Sequence, residues 1–117
     1  QLTAELNGLH LAGLKFEAAA FTPASSKFKD EKCWGARILV TDRNKMDPCW
    51  GGVLIVDALY RLYPDRFAWH ENHFDRLCGT DRVRKAIVEH RPLGGLKRQW
   101  ETEITAFKQL RAKYLLY

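Results

Sequence analysis

Apolar residues recur at every second position in two segments near the start of this chain. Through most of the rest they recur at every third or fourth. That change of period constrains the fold most, because a repeat of two builds a strand and a repeat of 3.6 builds a helix. In residues 15–22, Phe16, Ala18 and Ala20 share one face and Glu17, Ala19 and Phe21 the other. In residues 33–42, Ala36, Ile38 and Val40 alternate with Arg37, Leu39 and Thr41, and the β-branched content supports a second strand. Pro23 ends the first strand, and the polar run to Lys32 predicts a loop between the two.

The helical pattern appears four times. Leu2, Leu6 and Leu9 predict a short helix with Thr3 as its cap, and Gly8 and Gly13 bracket its exit. After a turn at 42–45 closed by Pro48, Gly51-Gly52 opens a strongly apolar helix that ends before Tyr63-Pro64. Two adjoining stripes, Ile55/Leu59/Leu62 and Val56/Tyr60/Tyr63, predict that this helix is central and well buried. Thr80 caps a third helix to about His90, with Asp81 in its first turn and Val83, Ala86 and Ile87 facing inward. In the last, Leu96, Trp100, Ile104, Phe107 and Leu110 step by four, four, three and three. The apolar end Tyr114-Leu-Leu-Tyr117 predicts a docked terminus, and Phe67-Ala-Trp69 a further short strand. The order points to an α+β fold: a small mixed or antiparallel sheet with about four helices packed against it, one compact domain over 1–117.

Composition excludes several classes. The 117 residues are 46% hydrophobic and 28% charged, as in a packed domain rather than a disordered tail. The longest apolar run, Val53–Val56, is stopped by Asp57, far short of the ~18 residues of a membrane span. A chain opening on Gln1, with no start or export signal, reads as a piece of something longer. Cys33, Cys49 and Cys78 exclude a full disulfide framework and leave one pair plus a thiol, or three buried thiols, open. The net charge of +5 suits an anionic partner, either nucleic acid or an anionic glycan, and a stand-alone basic binding module is one reading. Interspersed acids such as Asp30, Glu31, Asp42 and Asp47 weigh against that reading and make nucleic acid unlikely as a partner.

Local chemistry is sparse. His70-x-x-His73 is the one close pair of potential metal ligands; His10, His90 and the cysteines are scattered, so no metal site is expected. Ser25 and Ser26 lack a nucleophile elbow, and Gly51-Gly52 lacks the rest of a phosphate loop. Glu17, Glu31, Glu71 and Asp75 do not single out an acid and a base. No catalytic residue and no cofactor is implied. More suggestive are Trp34, Trp50, Trp69 and His70 near loops and strand ends. Their rings suit either packing or stacking on a sugar or base; Trp100 belongs to the helical stripe.

Several segments resemble, in order, one bacterial family. They are Phe21-Thr-Pro-Ala-Ser-Ser-Lys27, Cys33-Trp-Gly35, Val40-Thr-Asp-Arg43, Tyr63-Pro64, Phe74-Asp-x-Leu-x-Gly-Thr-Asp81 and the ending Phe107…Arg111-Ala-Lys-Tyr-Leu-Leu-Tyr117. The family is the NamZ-type exo-β-N-acetylmuramidases. Its members resemble this chain only in their C-terminal part. The resemblance implies that a Rossmann-like catalytic domain, absent here, carries the catalytic glutamates of a peptidoglycan hydrolase in the cell envelope or outside the cell. The partners it implies are that catalytic domain and a peptidoglycan-derived muramyl sugar. It further implies a cleft between domains, to which the loop Thr22, Ser26 and Lys27 could contribute; Lys27 could meet a muramyl carboxylate or an acid of the partner domain. Trp34, Trp50 and His70 are the remaining candidates for sugar or interdomain contact. Asp75 and Thr80-Asp81 read as a turn and a helix start.

Overall fold

The computed structural model describes residues 1–116. It has α+β character, with one two-stranded antiparallel sheet and five helices. The chain divides into two compact units, residues 1–67 and Ala68 onward.

The first unit holds α1 (Leu2–Gly8), β1 (Leu14–Phe21), β2 (Cys33–Val40) and α2 (Pro48–Leu62). β1 and β2 pair from Leu14↔Val40 to Phe21↔Cys33. That register puts Leu14, Phe16, Ala18 and Ala20 on one face with Trp34, Ala36, Ile38 and Val40, an entirely apolar side. A lone two-stranded ribbon is marginal in water, so something must cover that side. Helices α1 and α2 cover one end of it: Leu6, Phe16 and Ala58 form a fully buried cluster, flanked by Leu2, Leu11, Leu14 and Ile55.

Asn7 locks α1 to the sheet edge. Its side-chain amide donates to the Phe16 carbonyl at 2.8 Å and accepts from the Phe16 N–H at 3.0 Å. One side chain thus makes the two bonds that a neighbouring strand would make. Replacing Asn7 by Ala leaves both backbone groups of Phe16 without that partner, in a part-buried position. The expected cost is about 2 kcal/mol, read as a lower urea midpoint at unchanged slope. Asn7→Asp keeps the acceptor and loses the donor, and is expected to fall between wild type and Asn7→Ala.

Helix α2 begins three residues earlier than the Gly51-Gly52 pair suggests. Asp47 caps it, accepting from the Trp50 N–H at 2.9 Å, and Pro48 occupies the first turn, where its missing N–H costs nothing. Gly51 serves packing instead, because a Cβ there would stand 3.1 Å from Leu14 Cδ1. The helix buries Gly51, Val53 and Ala58 fully, and most of the residues between Leu54 and Tyr60 only partly. Thr3 lies inside α1 rather than capping it; Gln1 is the cap residue.

The second unit holds α3 (Glu71–Cys78), α4 (Arg82–Val88) and α5 (Leu93–Ala112). Helix α3 has no counterpart in the sequence expectation and raises the helix count from about four to five. It ends at Gly79 in the left-handed conformation (φ 69°), a standard glycine stop. Residues 67–69 form no strand. Their apolar alternation instead serves ring contacts, Tyr60 with Phe67 (5.5 Å) and Trp69 edge-on to Phe74 (4.9 Å). Val83, Ala86, Ile87 and Leu93 are the buried residues of this unit.

Charge ties these helices together. Arg84 of α4 grips Asp75 of α3 with two parallel bonds of 2.9 and 2.7 Å and also reaches Glu71 at 3.4 Å. Arg82 pairs with Glu103 of α5 at 3.1 Å, and its hydrogen bond holds the Glu103 carboxyl below the usual range. The Lys85 ammonium, one turn on, does the same for Asp81. Thr80 Oγ1 accepts from the Arg82 N–H at 3.2 Å at the start of α4, but Asp81 rather than Thr80 is the cap residue, and Asp75 lies within α3 rather than in a turn. The terminal Tyr114, Leu115 and Leu116 are exposed rather than docked, and Tyr117 lies outside the described residues.

Candidate functional site

The end of the hairpin collects polar, cationic and aromatic side chains. Residues 22–32 join β1 to β2 and fold back on themselves: the Asp30 N–H donates to the Pro23 carbonyl at 2.9 Å, and the Lys29 N–H to the Ser26 carbonyl at 3.1 Å. Ser26 and Asp30 hold positive φ angles of 74° and 62°, a conformation short polar residues adopt to reverse a chain. The loop is therefore built from turns, and it fixes what it displays.

It displays two pairs of ring and ammonium. Lys32 Nζ stands 4.9 Å from the centre of the Trp34 ring, and Lys27 Nζ 5.4 Å from that of Phe28. Trp34 is 75% exposed, and Phe21 and Phe28 are half exposed. Phe21 points to the opposite face of the ribbon from Trp34 and lies on Gly35, where a Cβ would stand 3.2 Å from its ring. An exposed indole bordered by an ammonium can take an apolar sugar face and a carboxylate at once.

Of the residues singled out from the sequence, the structure brings Thr22, Ser26, Lys27 and Trp34 to this one hairpin end. Trp50 lies elsewhere. Its neighbour Gly51 packs on Leu14, at the other end of β1, which seven residue steps of ~3.3 Å place about 23 Å from Phe21. His70 belongs to the second unit, where its carbonyl accepts from the N–H groups of His73 and Phe74 at the start of α3. Phe28 and Lys32 escaped the sequence reading, although the alternation Lys27-Phe28-Lys29 was its signal.

Three of the four carboxylates weighed from the sequence are engaged in ion pairs, and the fourth, Glu31, stands exposed in the hairpin loop. Glu17 meets Lys15 at 3.3 Å, and Glu71 and Asp75 share Arg84. Among the described residues, no three His, Cys, Asp or Glu side chains converge as metal ligands, and the three cysteines are free thiols. No described helix is long and apolar enough to cross a membrane.

Comparison with known proteins identifies the family of the chain. Residues 1–117 match the family described as "Exo-beta-N-acetylmuramidase NamZ, C-terminal". The chain belongs to the NamZ C-terminal family. It is 34% identical over 118 residues to the peptidoglycan beta-N-acetylmuramidase NamZ of Bacillus subtilis (strain 168), covering all of this chain and 28% of that protein. The crystal structure of a DUF1343 family protein from Bacteroides fragilis NCTC 9343 superposes with a TM-score of 0.84 at 28% identity, covering 99% of this chain and 32% of that one. The chain thus spans about a third or less of the length of these relatives. The match to the NamZ C-terminal family spans all the segments, from Phe21 to the C-terminus, that carry the resemblance.

Proposed function

We propose that this chain is the C-terminal auxiliary domain of a peptidoglycan-acting exo-β-N-acetylmuramidase at the bacterial cell envelope. It packs on an N-terminal catalytic domain and lends its hairpin end to one wall of the substrate cleft, without contributing a catalytic residue. The observation that carries the reading is the exposed Trp34 ring with Lys32 at its face, on a loop stiffened by turns. A muramyl residue offers the matching chemistry: an apolar pyranose face for the ring and a lactyl carboxylate for an ammonium. Lys27 adds a second cation on the same loop. Glu17, Glu71 and Asp75 are engaged in ion pairs, which leaves Glu31 alone of the four carboxylates without one and supports the reading that the catalytic pair lies elsewhere in the parent protein.

The test is steady-state kinetics of the full-length parent enzyme on a chromogenic β-N-acetylmuramide. A stacking contact of about 1–2 kcal/mol predicts that Trp34→Ala raises KM roughly 5–30-fold. Because that contact is made equally in ground and transition states, kcat is expected to stay within about twofold. Lys27→Met is expected to raise KM less. Unchanged KM in both variants would remove the hairpin end from the cleft. Loss of kcat in Trp34→Ala with KM unchanged would show that this part takes part in the chemistry.

A further inference from the structure

Helix α5 carries an apolar face that its own unit covers only halfway. The face runs Leu93, Leu96, Trp100, Ile104, Phe107 and Leu110 at helical spacing. Its first half is turned inward, with Leu93 buried and Leu96 and Trp100 partly so. From Glu101 on every described residue is exposed, and Ile104, Phe107 and Leu110 stand 50%, 59% and 54% open. Six residue steps of 1.5 Å, from Ile104 to Leu110, make this uncovered part about 9 Å long; Tyr114 and Leu115, exposed as well, lie past the end of the helix. The opposite flank is polar: Arg98, Glu101, Thr102, Thr105 and Gln109 line a shallow groove there. On that flank Thr102 and Thr105 return their hydroxyl protons to the carbonyls of Arg98 and Glu101. The helix is thus amphipathic past its covered half, its apolar side interrupted by Glu103, which pairs with Arg82, and by Arg111.

We propose that this face, centred on Phe107, seats the part of the parent polypeptide that precedes Gln1. The inference rests on the auxiliary-domain reading and adds the surface through which the packing occurs. Two observations choose that occupant over a second copy. More than two thirds of each matched relative lies outside the match, so a large body of the same polypeptide is available at high effective concentration. The charge is also one-sided. No acidic residue follows Glu103, whereas Lys108, Arg111 and Lys113 flank the apolar positions. Two copies of a cationic face repel each other, while an apolar surface rimmed by carboxylates complements it.

The experiment uses the full-length parent protein carrying p-benzoylphenylalanine at position 107, and separately at 104. Thr102, on the polar flank, serves as the control position. After irradiation, adducts are mapped by mass spectrometry. From 107 and 104 they are expected in peptides preceding Gln1, at least fivefold above those from 102. Adducts confined to residues 1–67, a covalent dimer, or no adduct from either position would each overturn the proposal. The kinetic test separates the two readings. Adducts before Gln1 with Trp34→Ala silent in KM keep the docking face and remove the sugar wall; a raised KM without such adducts does the reverse.

Discussion

Phe16→Ala is expected to cost about 3–5 kcal/mol, the range for emptying a fully buried aromatic site. Phe16 is 2% exposed and sits against Leu6 and Ala58, with Leu2, Leu11, Leu14 and Ile55 around them. Three elements meet at this ring: α1 through Leu6, α2 through Ala58, and β1 itself. The cavity cannot collapse readily, because the Asn7 bonds pin the backbone of residue 16 from the side. A chain of 117 residues has a total stability of about 6–18 kcal/mol at ordinary densities, so the loss is a large share of it. Phe28→Ala is the matched control. The same ring is removed from a half-exposed loop position, and the effect is expected within about 0.5 kcal/mol. Urea unfolding followed by far-ultraviolet circular dichroism reads both. Equal losses in the two variants would contradict the burial of Phe16 at the junction.

The hairpin was legible because its evidence is local. Eight-residue alternation on each side of a polar loop fixes both strands and their partnership, and the loop then brings Thr22, Ser26, Lys27 and Trp34 to one end. Trp50 and His70 joined the candidate list on residue type and a place near predicted loops and strand ends. Nothing in sequence shows that Gly51 packs on Leu14, and so nothing shows that Trp50 sits at the opposite end of the strand. Helix α3 was hidden for a related reason. Its eight residues are too few to hold a helix in isolation, and what secures them is Arg84, reaching back nine residues to Asp75. The start of α2 was misplaced by giving weight to two glycines; Asp47-Pro48, a cap followed by a first-turn proline, was the stronger signal. The stripe on α5 was read correctly as a stripe. Periodicity reports that a face is apolar, not what covers it, so the exposure of Ile104, Phe107 and Leu110 could come only from the structure.

Gly13→Ala is expected to cost about 2–4 kcal/mol, combining a strained backbone of about 1–3 kcal/mol with a disrupted hydrogen bond of about 1. Gly13 has φ +73°, which a residue with a Cβ rarely adopts. Space is the larger obstacle. A Cβ would stand 2.2 Å from the Asp42 carbonyl oxygen and 2.8 Å from the Met46 N, both backbone atoms in the turn after β2. That turn cannot step aside freely, because the Gly13 carbonyl accepts from the Thr41 N–H at 2.8 Å and the Asp42 carbonyl accepts from the Met46 N–H at 3.1 Å. Moving it loosens the Leu14↔Val40 end of the ribbon, the end that α2 packs against through Gly51. Gly8→Ala supplies the contrast. Gly8 is the last residue of α1, and a Cβ there meets nothing within 4 Å. In a helix the same substitution is worth roughly 0.5–1 kcal/mol in the opposite direction, by restricting the unfolded chain. Thermal unfolding of the two variants should therefore move the midpoint down for position 13 and up for position 8. A neutral Gly13→Ala would mean that the 41–46 turn is free to move, and that the close approach of Gly13 to it does not hold the ribbon in place.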